Sequence, residues 1–260
     1  MCSVWKLLRF RLIDAALGRQ STPATDGQDM QDRNAPPLNP LPPIVWILAL
    51  PIIAMEIALQ LGASGLAGGA DGVGWRLQAM ERFVFSPDLM RQMIALGDYP
   101  PEHVMRLVSY PLVHGNMTHA LFVVVILLAL GKMVGEVFRW WGVVAVFFGS
   151  AIAAALIYTL VASYVPAIRA PLMGGYPPVY GLIGGFTFLL WVNLAAVGAN
   201  KYRAITMIGF LLGVQLLFGL VFGGGYEWIA DLAGFVTGFL LSFIVSPGGW
   251  ARVMAKLRQR

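Results

Sequence analysis

Residues 116–138 read NMTHALFVVVILLALGKMVGEVF, a stretch with a long apolar centre whose few polar side chains lie near its two ends. A helix rises 1.5 Å per residue, so this stretch covers about 35 Å, enough to cross the roughly 30 Å of bilayer hydrocarbon. Within lipid no water is present to bond the backbone, and at this length only a helix satisfies its own N–H and C=O groups. Residues 116–138 therefore predict a transmembrane helix.

Further apolar stretches of similar length lie on either side of it. The six predicted spans are 44–63, 116–138, 141–164, 177–198, 204–224 and 227–246. The 260 residues are 58% apolar and 12% charged with a mean hydropathy of +0.73. Soluble domains are nearer 45–50% apolar and about 25% charged. This composition excludes a soluble enzyme, a disordered chain and a nucleic-acid-binding protein, in spite of the net charge of +5. The predicted fold class is an all-α membrane protein, a six-transmembrane-helix bundle whose surroundings are the lipid bilayer.

The segments outside the spans differ in composition. Residues 1–20 mix cationic and apolar side chains at helical spacing, which predicts a basic amphipathic helix on the membrane surface, with a disordered tail as the alternative. Residues 21–43 hold six prolines among polar residues and are predicted to be a linker. Residues 44–246 form the six-span domain, and 247–260 a basic cytoplasmic tail.

The positions of lysine and arginine predict the orientation, because cytoplasmic loops are enriched in both. Cationic residues cluster in 1–33, at Arg139, at Lys201 and Arg203, and in 252–260. Both termini are therefore predicted to face the cytoplasm, in a multi-pass protein of the inner cell membrane. The long first loop, 64–115, is then outside.

That loop is neither flexible nor wholly polar in its composition. RLQAMERFVF (76–85) and SPDLMRQMIALGD (86–98) are typical of short amphipathic helices, with Leu77, Met80, Phe83 and Val84 on one side. We expect the loop to lie partly in the outer membrane interface, with Trp75 as an anchor. A solvated loop carrying two surface helices is the alternative.

Polar residues inside spans are costly unless they face the bundle or water, so each is a functional candidate. The predicted topology places His114 and His119 at the outer end of span two, Tyr176 just before span four, and Asp231 near the outer start of span six. We expect His119, Tyr176 and Asp231 to converge in the outer third of the bundle. Glu56 in span one is expected to face the loop helices or a water pocket.

Small residues recur at four-residue spacing in two of these spans. They are Gly181 and Gly185 in span four, and Ala230, Gly234 and Gly238 in span six. Such repeats let two helix backbones approach closely. Spans four and six are therefore expected to press the polar groups of one site together.

The chain resembles the rhomboid family of intramembrane serine proteases over roughly residues 44–246. Trp75-Arg76 is similar to the Trp-Arg pair of that family's first loop. His114 and His119 match its two histidines five residues apart, but Val123 stands where its asparagine is expected. The resemblance implies a rhomboid-like six-span bundle with a long, partly helical outer first loop.

The two catalytic motifs of the resembled family are both altered here. Its nucleophile motif, Gly-x-Ser-Gly, reads Gly174-Gly175-Tyr176-Pro177, and its basic histidine is replaced by Asp231. A serine becomes nucleophilic only when an adjacent base accepts its proton, and the oxyanion that follows needs preorganised donors. Tyr176 is a bulkier phenol with an ordinary pKa of about 10, and Asp231 is a weak, short base.

These replacements predict a pseudoprotease with no intact catalytic set at the family-equivalent positions His119, Val123, Tyr176 and Asp231. In the resembled family substrates enter between spans two and five, and docking does not itself need the serine. The first hypothesis is therefore an inactive protein that binds transmembrane segments of client proteins. The alternatives are a serine-type intramembrane endopeptidase with a diverged site, using Asp231 or a threonine, and a small transporter. No cofactor-binding or metal-binding motif is seen in the sequence.

Overall fold

The computed structural model describes residues 40–200, 202–206, 209 and 225–247. In chain order its helices are α1 Pro43–Ala63, α2 Gly69–Gly72, α3 Trp75–Phe83, α4 Pro87–Leu96, α5 Pro101–Val104, α6 Arg106–Ser109, α7 Met117–Gly135, α8 Trp140–Tyr164, α9 Tyr176–Ala196 and α10 Trp228–Val245, with a 3₁₀ turn at Tyr110–Leu112. Within the described ranges the helices α1, α7, α8, α9 and α10 are long and apolar enough to cross a membrane. The all-α membrane fold is confirmed.

The five long helices begin and end close to the predicted spans one, two, three, four and six. The predicted fifth span, 204–224, lies outside the described residues except at 204–206 and 209. The predicted amphipathic segment 1–20, nearly all of the linker 21–43, and the tail from 248 onward also lie outside the described residues.

Helix α9 is the centre of the bundle and packs against α7, α8 and α10. Its contact with α10 is made backbone to backbone. A Cβ on Gly238 would collide with the main chain of Gly181, and a Cβ on Gly234 would collide with that of Pro177. The small-residue repeats of these two helices therefore do face each other.

One close contact of this interface was missed from the sequence. A Cβ on Gly184 would collide with main-chain atoms of Phe235 and Phe239, whereas a Cβ on Gly185 would lie 3.3 Å from the side-chain oxygen of Ser242. Of these two glycines, Gly184 therefore makes the tighter approach to α10.

The first loop is docked on the bundle through hydrogen bonds. Phe85 and Leu172 form an isolated antiparallel bridge, with N–H to O distances of 3.1 and 2.8 Å. Arg91 of α4 forms an ion pair with Asp88 and donates to the carbonyl of Ala162 at 2.9 Å. The loop is therefore part of the folded domain and contacts both the C-terminal end of α8 and the segment that leads into α9.

One detail of the predicted loop is wrong, namely the side on which Leu77 lies. The indole of Trp75 packs into the space left by Gly62 and Gly68, where a Cβ would overlap the ring, and its role as a membrane anchor stays a prediction. Leu77 is exposed, while Ala79 and Val84 are buried on the opposite face of the segment with Met80 and Phe83 packed beside them.

Asn116 is the N-cap of α7, and its Oδ1 accepts the backbone N–H of His119 at 2.9 Å. We expect Asn116→Ala to lower the free energy of unfolding by about 1 kcal/mol, because a first-turn N–H loses its acceptor. Asn116→Asp keeps an acceptor and is the matched control. Denaturant unfolding in mixed micelles measures both, and an alanine variant as stable as the aspartate variant would contradict the capping role.

Candidate functional site

The site begins at a tight turn that leads into α9. Gly174 has φ of +87°, a conformation that L side chains rarely adopt, and its N–H donates to the carbonyl of Tyr110 at 3.0 Å. A Cβ at Gly174 would also lie 2.5 Å from Cε1 of His119. Glycine is therefore required here both by backbone conformation and by the imidazole packed against it.

His114 holds the next residue of this turn. It is 1% exposed, and its Nε2 accepts the Gly175 N–H at 3.2 Å. Burial, followed by the neighbouring His119, lowers the pKa of His114 to about 4. The imidazole is therefore neutral at physiological pH and has an unprotonated Nε2, which the hydrogen bond to Gly175 requires.

The rings of the site form a row. His114 and His119 meet edge to face with centroids 4.9 Å apart, and His119 stacks on Tyr176 with centroids 4.7 Å apart and an angle of 24° between the planes. Tyr180 lies one turn further along α9, with its ring centroid 6.5 Å from that of Tyr176. The structure thus brings His119 of α7 and Tyr176 of α9 into direct contact.

Asp231 adds a buried carboxylate from α10. It is 6% exposed, and it interacts electrostatically with Tyr110, Tyr176 and Tyr180. Burial, together with this carboxylate, raises the pKa of Tyr110 well above its usual value. His119, Tyr176 and Asp231, which are far apart in sequence, therefore lie at one place in the fold.

Val123 is the fully buried floor of the site. A Cβ on Gly175 would lie 2.6 Å from Cγ1 of Val123, so the valine side chain packs directly beneath the turn. A valine offers no hydrogen-bond donor, and at this place an apolar contact supports the main chain before Tyr176.

An ion pair stands beside the site. Arg76 of the first loop binds both carboxylate oxygens of Glu56, at 2.7 and 3.2 Å, and also donates to the carbonyl of His114 at 2.7 Å. Glu56 faces the loop helices. The pair itself was missed from the sequence, although an acidic residue inside an apolar span was a signal that a partner exists.

Comparison with known proteins decides the family. A sequence model described as "Rhomboid domain" matches residues 101–248, more than half of the chain. The chain belongs to the rhomboid family. It is similar to RHOMBOID-like protein 4 of Arabidopsis thaliana, with 28% identity over 145 residues, which cover 54% of this chain and 34% of that protein. The chain thus spans about a third of the length of that relative.

The rhomboid match begins at residue 101, so α1 and most of the first loop lie outside it. It includes His114, His119, Tyr176 and Asp231. The site is therefore part of the rhomboid domain itself, whereas the Glu56–Arg76 pair is contributed by the segment that precedes the match.

The first turn of this rhomboid α9 is poor in hydrogen-bond donors. The first four N–H groups of a helix normally have no acceptor within the helix, and they make its N-terminus an anion-binding site. Here Pro177 and Pro178 have no N–H, and the Val179 N–H already donates to the carbonyl of Gly175 at 3.1 Å. Of the first four residues of the helix, Tyr176 alone is left with a backbone N–H to offer.

The described residues also offer little to a metal ion. No group of three or more His, Cys, Asp or Glu side chains in the described ranges is placed to hold one. The chemistry that this arrangement supports is aromatic stacking and hydrogen bonding between α7 and α9, beside one buried carboxylate.

Proposed function

We propose that this rhomboid-family membrane protein is proteolytically inactive and binds transmembrane segments of client proteins. The observation that carries the proposal is the stacking of Tyr176, which stands where the resembled family has its serine, on the face of His119. A side chain that packs in this way is a structural element of the bundle and lacks the geometry of a nucleophile.

The stacking also separates the phenol from a base. The lone pair of an imidazole nitrogen lies in the plane of the ring, so a proton is accepted at the ring edge and not at its face. With 24° between the planes, the faces of His119 and Tyr176 meet. Asp231 stands where the resembled family has its histidine, and a carboxylate on a short side chain is a weaker base toward a hydroxyl than an imidazole.

An oxyanion would find few donors at this place. Val123 has none, Pro177 and Pro178 have no N–H, and the Gly175 N–H is bound to His114. Each donor of an oxyanion pocket is worth about 10²–10³ in rate. The missing donors and the missing nucleophile together support inactivity.

Client binding is supported by the outer face of α7. Met117, Leu121 and Val125 are spaced by four residues, and these side chains and Phe122 are each more than half exposed. Helices associate in lipid through van der Waals packing of their side chains. A client helix lying here would be beside His119 without needing any chemistry from it.

The finer localisation is part of the proposal. We place the protein in the inner membrane with both termini in the cytoplasm, because Arg139, between α7 and α8, and the basic clusters of the sequence mark the same side. Cysteine accessibility in intact cells tests this orientation. If a membrane-impermeant reagent added outside the cells labels the Arg139→Cys variant, the proposed orientation is wrong.

The decisive experiment compares two forms of the full chain in liposomes with a panel of transmembrane substrates. The native chain is expected to cleave none. The variant Val123→Asn, Tyr176→Ser, Pro177→Gly, Asp231→His restores nucleophile, base and donors, and we expect it to raise cleavage at least about 100-fold above background. Gel analysis scores both, and the same variant without Tyr176→Ser is the control. Cleavage by the native chain would refute inactivity.

Client binding is tested separately by photocrosslinking in cells. A crosslinking residue at Leu121 on α7 is expected to capture transmembrane clients, whereas one at Leu160, an equally exposed position of α8, is the matched control. Equal capture at both positions would indicate ordinary contact with membrane neighbours and would count against a client surface on α7.

A further inference from the structure

A buried acidic side chain lies within the apolar helix α1. Glu56 is 8% exposed, and it accepts hydrogen bonds from Gln60 at 3.0 Å and from both terminal nitrogens of Arg76. Ionisable side chains within spans are rare, and they point to a role beyond filling space. The role of Glu56 is therefore to be sought in what Arg76 does.

The guanidinium of Arg76 connects three parts of the chain. It comes from α3, it binds Glu56 in α1 on one side, and on the other its Nη1 donates to the carbonyl of His114, 38 residues further along, at 2.7 Å. A guanidinium presents its donors in a rigid fork, so anchoring one edge on a carboxylate fixes the direction of the remaining N–H. Glu56 thereby aims Arg76 at the main chain of His114.

His114 links Arg76 to the turn that leads into α9. Its carbonyl is held by Arg76 while its side-chain Nε2 accepts the Gly175 N–H at 3.2 Å. Gly175 is the residue before Tyr176. A continuous set of hydrogen bonds therefore runs from Glu56 through Arg76 and His114 to the turn that presents Tyr176.

Plain stabilisation does not account well for such a pair. Buried ion pairs contribute little net stability compared with apolar residues of the same volume, because desolvation offsets their attraction. An ion pair between a guanidinium and a carboxylate does, however, fix the orientation of both groups, because the two parallel N–H···O bonds form only in a restricted geometry.

We propose that Arg76, held by Glu56, is a positioning residue: it orients His114 so that the imidazole binds the Gly175 N–H and fixes the main chain in front of Tyr176. This inference goes beyond the proposed function and holds whether or not the protein cleaves or binds a client.

Amide hydrogen exchange of the full chain in micelles, resolved at single residues, tests it. In Arg76→Lys the planar fork is lost but the charge is kept. We expect the Gly175 amide to exchange at least about tenfold faster, with Gly174 and Leu172 changing less than about threefold. Those two amides bond to Tyr110 and Phe85, so they report on the docking of the loop without involving the His114 side chain.

Arg91→Lys is the matched control, because Arg91 also forms an ion pair, with Asp88 of its own helix, and also joins the loop to the bundle by a bond to a carbonyl, that of Ala162. It is expected to leave the exchange of Gly175 unchanged. A second variant, Glu56→Met with Arg76→Met, removes both charges together. It leaves no unpaired buried charge, so it tests the proposal even if Arg76→Lys does not fold. It is expected to accelerate Gly175 in the same selective way.

The possible results distinguish a residue that orients His114 from one that only stabilises the docked loop. Selective acceleration of Gly175 in both Arg76 variants supports the proposal. Equal acceleration of the Leu172, Gly174 and Gly175 amides would show a merely structural role, and an unchanged Gly175 would show that His114 is oriented without Arg76. Either of these two results overturns the proposal.

Discussion

Replacing Gly238 by alanine is expected to destabilise the bundle more than any other single-methyl addition considered for this chain. The new Cβ would collide with the carbonyl oxygen, carbonyl carbon and Cα of Gly181, all of them main-chain atoms that no rotamer change can move. Overpacking of this kind usually costs about 1–3 kcal/mol, and a collision between two backbones lies at or above the upper end. We expect a loss of about 3 kcal/mol, measured by denaturant unfolding in mixed micelles with tryptophan fluorescence.

Gly142→Ala is the matched control. A Cβ at Gly142 would lie 3.4 Å from Cβ of Val245 and 3.5 Å from Cβ of Phe138, which is ordinary van der Waals contact. Alanine is also the better helix former by about 1 kcal/mol. This variant is therefore expected to be as stable as the native chain or slightly more so. If the two variants unfold alike, the close α9–α10 contact does not determine stability.

Acid is expected to destabilise the protein through His114. The pKa of this residue is lowered to about 4 by burial and by its neighbour His119, while an unfolded histidine has a pKa of about 6.5. Below pH 6.5 the unfolded chain therefore binds more protons than the folded one. The stabilisation is complete above about pH 6.5 and is lost as the pH falls toward 4, by about 3 kcal/mol in all.

The measurement is the free energy of unfolding at a series of pH values between about 7 and 4. His114→Asn removes the titrating group, so its stability is expected to change less over this window than that of the native chain. Gly142→Ala, which changes no titrating group, is the control and should keep the native slope. A native slope in His114→Asn would assign the acid sensitivity to other groups, such as the carboxylates.

The spans could be predicted because the bilayer imposes a local rule. Any stretch that crosses it must be apolar, about 20 residues long and helical, and each of these properties is visible in consecutive residues. The helices α1, α7, α8, α9 and α10 followed the prediction for that reason. The loop helices α3 and α4 were also predicted from local periodicity, which explains why their existence was right while the side on which Leu77 lies was not.

The residues of the site could be named from the sequence, but not their contacts. His119, Tyr176 and Asp231 were singled out because polar groups in spans are costly and because their motifs resemble those of rhomboids. Their replacement chemistry, a phenol for the serine and a carboxylate for the imidazole, follows from residue type alone. The proposal of inactivity therefore rests largely on the sequence, with the stacking of Tyr176 on His119 added by the structure.

The sequence by itself determined the class of protein, five of the membrane helices in the described ranges, and the identity of the groups at the site. Only the tertiary structure decided that His114 binds the Gly175 N–H, that Arg76 joins Glu56 to His114, and that Gly184 lies closer to the main chain of α10 than Gly185 does. The reason is physical. Apolar length and residue chemistry are properties of neighbouring residues, whereas a hydrogen bond or a backbone contact depends on the relative rotation of helices, which the packing of the whole bundle determines.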